Sequence, residues 1–186
     1  MLYQFKIKLK GITHPPVWRR LLVPTTFSFY GFHLAIQEAF GWGDYHSFEF
    51  RERVYNADFR ISLTKEVGWF YEDTMDARKT KLNKVFNSRS KLLYVYDFGD
   101  DWVHEIALEA TLKDKGTEAD CIAGKGACPP EDCGGIYGYA QLKETFEKDP
   151  NGEEAKNYRE WLGLEEGENW NPNKINFGGY GWVLDE

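Results

Sequence analysis

Residues 94–109, Tyr-Val-Tyr-Asp-Phe-Gly-Asp-Asp-Trp-Val-His-Glu-Ile-Ala-Leu-Glu, constrain the fold more than any other stretch of the chain. Apolar side chains alternate on both sides of an acidic segment, Asp97-Phe-Gly-Asp-Asp101. A period of two is the signature of a strand with one buried face. The pattern therefore predicts strands over Lys91–Tyr96 and Trp102–Lys113, joined by a hairpin loop. Glycine permits the turn there, and the aspartates bond local amides. On the second strand Trp102, His104, Ile106 and Leu108 share one face.

The same period recurs at the N-terminus. Tyr3, Phe5, Ile7 and Leu9 alternate with Gln4, Lys6, Lys8 and Lys10, so residues 2–10 form a strand with one wet face, the antiparallel kind. His14-Pro-Pro16 breaks it, because prolines cannot donate to a ladder. Residues 17–23 resume as its antiparallel partner. A helix is expected from Phe29 to Phe40, capped near Ser28 and closed by Gly41, with Phe29, Phe32, Ile36, Ala39 and Phe40 on one face. A strand begins at Phe48. Residues 53–90 are expected to be the most irregular, with a turn at Asn56–Asp58, an apolar patch at Trp69-Phe-Tyr71 and a short helix carrying Leu82, Val85 and Phe86. Residues 114–138 are polar and glycine-rich, and helices follow over Tyr139–Lys148 and Glu153–Leu162. The aromatic tail, with Trp170, Ile175, Phe177, Tyr180 and Trp182, is expected to pack on the body. This order predicts an α+β fold, a mainly antiparallel sheet with helices packed on one face, as a single domain over residues 1–186.

Charge narrows the partners. The formal net charge is −7, a field that repels phosphate backbones, so direct duplex binding is not favoured. Lys6, Lys8 and Lys10, Arg19 and Arg20, and residues 78–81 read as solvated faces. No apolar run reaches membrane-spanning length and no signal-peptide pattern opens the chain, which makes the cytoplasm the default location.

Three groups of residues are able to carry chemistry. Asp97, Asp100, Asp101 and His104 in the hairpin, with Glu131 and Asp132, are candidates for a hard-cation site or for acid–base work. The plainer alternative is a turn capped by its own aspartates beside an interior histidine. Cys121, Cys128 and Cys133 offer three thiols, which His104 or His46 would complete as a tetrahedral zinc site or other divalent-metal site, although the spacing is looser than in paired-ligand motifs. The alternative, three small buried residues, is the favoured one. No Cys-x-x-Cys suggests redox work. Trp18, Arg19 and Arg20 could stack a base or clamp an anion, or an arginine could pair with the acidic hairpin. His33 reads as a packing or surface residue. No phosphate-binding glycine loop, Gly-x-Ser-x-Gly elbow or His-Glu-x-x-His helix occurs.

Three blocks, taken together, carry a resemblance. Pro15-Pro-Val-Trp-Arg-Arg20 with Val23-Pro24 and residues 33–42 is the first. Tyr96-Asp-Phe-Gly-Asp-Asp-Trp-Val-His104 is the second, and Cys128-Pro-Pro-Glu-Asp-Cys-Gly-Gly135 with Tyr137-Gly-Tyr139 the third. In this order the chain resembles the plasmid pRiA4b ORF-3-like family over roughly residues 3–163. The resemblance implies one compact α+β domain and brings no established activity with it. Some members are passenger genes of a transposable element with a resolvase-like name, which implies a role as an accessory protein of mobile DNA. No serine-recombinase pattern is present here. Relatives often read His-Leu-His after the Gly-Trp turn, where this chain has His46-Ser-Phe48.

Three functions are therefore expected. The leading one is a soluble binding domain whose aromatic and acidic groove, lined by Trp18, Trp42, Tyr96, Trp102 and residues 128–135, takes a peptide, a basic partner, a modified base or another small-molecule ligand. The second is a metal-dependent hydrolase or nuclease built on the carboxylates, and the third the mobile-DNA accessory.

Overall fold

The computed structural model describes residues 1–55, 57–63 and 74–175. The alternating segments pair into one eight-stranded sheet. Strand β1 (Leu2–Leu9) and β2 (Trp18–Pro24) precede helix α1 (Phe29–Phe40), followed by β3 (Phe48–Arg51), β4 (Arg60–Ser62), β5 (Thr74–Asp76) and the short helix α2 (Leu82–Phe86). Then come β6 (Lys91–Tyr96), β7 (Trp102–Leu112), β8 (Asp120–Lys125), α3 (Gly135–Lys148) and α4 (Glu153–Leu162). The order across the sheet is β5-β4-β3-β6-β7-β1-β2-β8. Among the described strands only β4 and β5 run parallel to each other as neighbours. The fold is thus α+β, as the periodicity requires.

Helix α1 shows why one face of the sheet is dry. Ser28 accepts from the Gly31 amide, and Gly41 closes the helix in the left-handed region at φ 77°. Its apolar stripe presses on the inward residues of β1 and β3. The ring of Phe32 lies 4.7 Å from Phe5 and 5.8 Å from Phe50, and Phe29 lies 5.0 Å from Phe50. Fully burying each such ring is worth roughly 1.5–3 kcal/mol. Farther along the chain, α3 and α4 form a small separate core of Leu142, Phe146 and Ala155.

Three boundaries differ from expectation. Strand β8 arises in the polar, glycine-rich stretch 114–138, where no strand was expected, as an edge strand held by its ladder to β2. Helix α3 begins at Gly135, four residues early, because Gly134 and Gly135 take φ 88° and 67° and turn the chain into it. The stretch 53–90 holds the expected short helix α2 and, beyond expectation, the strands β4 and β5. Asn56, the patch Trp69-Phe-Tyr71, and Phe177, Tyr180 and Trp182 lie outside the described residues. Trp170 packs edge-on against Tyr139 at 5.6 Å, and the Ala127 amide donates to the Pro172 carbonyl, so the described part of the tail is docked.

One buried cation ties three parts together. Arg19 is 1% exposed. Its Nε donates to the Ala39 carbonyl at the end of α1, and Nη1 donates to the carbonyls of Trp18, Lys125 and Gly126. Nη2 approaches the Cys128 sulfur at 2.9 Å. Sequence alternation puts Arg19 on the inward face, and these acceptors are what make that face tolerable for a charge. Arg20, on the outer face, pairs with Glu109 at 2.7 Å. We expect Arg19→Met to lower unfolding free energy by on the order of 3 kcal/mol, since several buried acceptors lose their donor together. Urea unfolding midpoints would check this, and Arg20→Met should change them by less than about 1 kcal/mol.

Candidate functional site

Two loops and one turn meet at the end of the sheet where β3 starts and β6 ends. The first loop, residues 41–46, leaves α1 and is held by a polar network. His33, fully buried, stacks on Phe48 at 3.7 Å, meets the Tyr94 hydroxyl through Nδ1 at 2.8 Å, and meets Asp44 through Nε2 at 2.7 Å. Gln37 donates to the same hydroxyl and accepts from the Asp44 amide. His33 is accordingly a packing residue. It fixes the loop that delivers His46.

The second loop, residues 126–134, follows β8. Trp42 donates from its indole to the Pro129 carbonyl at 2.9 Å. The Tyr96 hydroxyl donates to Glu131 Oε1 at 2.9 Å, and the Gly43 amide donates to the same oxygen. The Tyr45 amide in turn donates to the Tyr96 hydroxyl. Burial, reinforced by the Glu131 carboxylate, pushes the Tyr96 pKa well up and keeps it a phenol. Its proton is thus available to hold Glu131.

The turn supplies Asp97. Its amide donates to the Ser47 carbonyl, its own carbonyl accepts from the Asp101 amide, and Oδ1 accepts from the Gly99 amide. That leaves Oδ2 facing His46. Around His46 Nε2 stand Asp132 Oδ1 at 3.1 Å, Asp97 Oδ2 at 3.8 Å and Glu131 Oε2 at 4.0 Å. His46, Asp97 and Asp132 form the only group of three or more His, Cys, Asp or Glu residues, among the described residues, with ligand atoms within 4.8 Å of one another. His46 Nε2 and Glu131 Oε2 are both buried and lack hydrogen-bond partners among the described residues. Asp97 and Asp132 hold left-handed backbone at φ 55° and 56°, a region that aspartate visits more readily than most residues.

The other expected residues fall elsewhere. Asp100 uses its carboxylate to accept from the Gly134 amide at 3.1 Å. This contact seats the hairpin against the start of α3, where a Cβ on Gly135 would lie 2.9 Å from the Asp100 carbonyl oxygen. Asp101 is exposed. His104 is fully buried between the edges of Phe40 and Trp42, with Nδ1 3.3 Å from the Tyr94 carbonyl, and does not join the carboxylates. The expected groove is corrected as well. Trp42, Tyr96 and Trp102 are 6%, 0% and 1% exposed and stack on one another inside the core. Nor do the cysteines gather with a histidine. Cys121 stands on β8 near the Ala123 carbonyl, Cys128 on Arg19, and Cys133 near the Gly135 carbonyl. Burial pushes the Cys128 and Cys133 thiols up to about 12.

His46 was visible in sequence only as a partner for the thiols. The signal that places it with Asp97 is strand pairing: Phe48 pairs with Tyr96, so the residues just outside that pair meet.

The chain belongs to the plasmid pRiA4b ORF-3-like protein family, whose profile matches residues 1–178. It is 38% identical over 163 residues to a Sinorhizobium fredii (strain NBRC 101917 / NGR234) protein named "Uncharacterized protein y4hQ", covering 86% of this chain and 80% of that one. It is also similar to a crystal structure titled "Protein of Unknown Function MM3350 from Methanosarcina mazei Go1", with a TM-score of 0.76, 31% identity and 95% of each chain covered. Neither name assigns an activity. No helix among the described residues is long and apolar enough to cross a membrane.

Burial lowers the His104 pKa from 6.5 to about 3, against smaller opposing contributions from the Tyr94 and Trp102 backbone. The unfolded chain therefore binds a proton that the folded one refuses between those values. The stability this neutral ring supports is complete above about 6.5 and drains away as pH falls toward 3. A wild-type protein should lose up to about 1.4 kcal/mol per pH unit through this window on account of this one group. In His104→Phe that share of the slope should vanish, as urea titrations at stepped pH would show.

Proposed function

We propose that the protein binds a divalent cation at its acidic end, with His46, Asp97 and Asp132 as the ligand set and Glu131 beside it. The observation that carries this reading is the convergence on His46 Nε2, which makes no hydrogen bond of acceptable geometry, of carboxylate oxygens of Asp132, Asp97 and Glu131 at 3.1, 3.8 and 4.0 Å. Buried polar atoms without partners are costly. A cation about 2.0–2.2 Å from each ligand would satisfy the imidazole nitrogen and offset the carboxylates around it. Ligand pairs around such a cation are separated by roughly 3–4.4 Å, and the three carboxylate oxygens stand 3.1–4.0 Å from the imidazole nitrogen. One nitrogen and several oxygens suit zinc, manganese or iron better than calcium.

The ion pairs of Asp97, Glu131 and Asp132 among the described residues are all with His46. Three carboxylates around one imidazole leave a surplus of negative charge that a divalent ion would offset. The Asp132 side chain is 69% exposed, so the site opens to solvent on that side. A cation there would supply Lewis acidity and an activated water. The reaction class this supports is metal-assisted hydrolysis. His46, Asp97 and Asp132 would hold the centre, and Glu131, positioned by the Tyr96 hydroxyl, would stand beside it to orient the water. The alternative of a binding domain with an aromatic groove draws no support from Trp42, Tyr96 and Trp102, whose rings are in the core.

Calorimetric titration of metal-free protein with zinc or manganese should give one site per chain. At a hundredfold excess over Kd, the ion should stabilise the fold by about 2.7 kcal/mol in thermal melts. Asp97→Asn keeps the turn and the left-handed backbone yet should lose tenfold or more in affinity. Tyr96→Phe, which releases Glu131, should lose roughly ten- to hundredfold. No uptake by the wild type, or equal uptake by Asp97→Asn, would overturn the proposal.

A further inference from the structure

The face of the sheet opposite α1 carries a second feature, independent of the acidic site. Gln4, Lys6 and Lys8 point outward from β1, and Trp18 and Arg20 point the same way from β2. Directly paired residues of antiparallel strands project to one side. The register pairs Lys6 with Arg20, Lys8 with Trp18, and Trp18 with Lys125 of β8. Trp18 is therefore an indole ringed by four cations. Two of them lie against the ring, Lys6 Nζ 4.8 Å and Arg20 Cζ 5.3 Å from its centroid.

The carboxylates of this face come from β7, where Glu105 and Glu109 stand, and from β8, where Asp120 pairs with Leu22. Glu109 takes Arg20 and Gln4, and Glu105 takes Lys10 at 3.7 Å. No ion pair of Lys6, Lys8 or Lys125 occurs among the described residues, and Lys8 and Lys125 are exposed. In a chain of formal charge −7, the cations Lys6, Lys8, Arg20 and Lys125 thus outnumber the carboxylates around Trp18. Lysines reading as an ordinary solvated face would not converge on a ring.

We infer that this face binds single-stranded nucleic acid. The occupant must be anionic at regular intervals and must offer planar groups between its charges. A single strand meets both conditions, with bases to stack on Trp18 and phosphates for Lys6, Lys8 and Lys125. An open antiparallel face carrying an aromatic ring and flanking cations is a known type of platform for unpaired bases. A duplex hides its bases within the stack, out of reach of Trp18. In the free protein Lys6 and Arg20 cover the indole. On binding they exchange the ring for phosphate.

The test uses the whole chain in EDTA, so that failure of the metal reading cannot affect it. Fluorescence anisotropy with labelled oligothymidylate and oligouridylate at low salt should give saturable binding that weakens as salt rises. Trp18→Ala should weaken it roughly ten- to hundredfold. Lys8→Glu, at an exposed position where folding is not in question, should weaken it and flatten the salt slope by roughly 0.7 or more. A labelled duplex of equal length should bind less tightly. No saturable binding at low salt, affinity unchanged in Lys8→Glu, or displacement of the strand by an equal charge of polyglutamate would each overturn the inference.

Discussion

The Arg19 guanidinium is the contact on which the arrangement of this molecule depends. It takes the Ala39 carbonyl at the C-terminal end of α1, where the helix dipole is negative, and the carbonyls of Lys125 and Gly126 where β8 ends. The loop with Glu131 and Asp132 leaves the sheet at that same place. Fixing the exit of β8 against α1 thus fixes where those carboxylates arrive. The ladder there leaves little room: a Cβ at Gly124 would lie 2.9 Å from Arg19 Cδ. Close backbone approach and buried charge are two sides of one arrangement.

The acidic end is built from parts that are remote in sequence. His46 comes from the loop after α1, Asp97 from the β6–β7 turn, and Glu131 and Asp132 from the loop after β8. Trp42 and Tyr96 join them from beneath, one through an indole N–H to Pro129 and the other through a phenol to Glu131. These rings serve the site as a floor. Their burial is what aims the polar atoms above them.

Much of this fold was legible in the sequence because periodicity reports burial. The alternation of Phe5, Ile7 and Leu9, the stripe from Phe29 to Phe40, and the hairpin on either side of Asp97 all follow from it. Strand β8 was not legible. Asp120-Cys-Ile-Ala-Gly-Lys125 has weak strand propensity and is extended because β2 pairs with it. The site was legible in part. Asp97, Glu131 and Asp132 were among its candidates, but nearness in sequence also suggested Asp100, Asp101 and His104. Their fates depend on tertiary partners: the Gly134 amide for Asp100, solvent for Asp101, and the aromatic core for His104. The burial of Trp42 and Trp102 could not be separated from a groove by composition, since both uses select large rings.

The left-handed backbone at Asp97 and Asp132 has a further consequence. A glycine would adopt either conformation with no steric cost, whereas a side chain there gives up as much as about 1 kcal/mol. At Asp97 the Oδ1 bond to the Gly99 amide offsets that cost, whereas Asp132, largely exposed, makes no such bond among the described residues. Stability and charge therefore pull in opposite directions at Asp132 but not at Asp97. A chain selected only for resistance to unfolding would keep the turn aspartate and relax Asp132, and the cluster around His46 would lose the carboxylate that stands nearest to the imidazole.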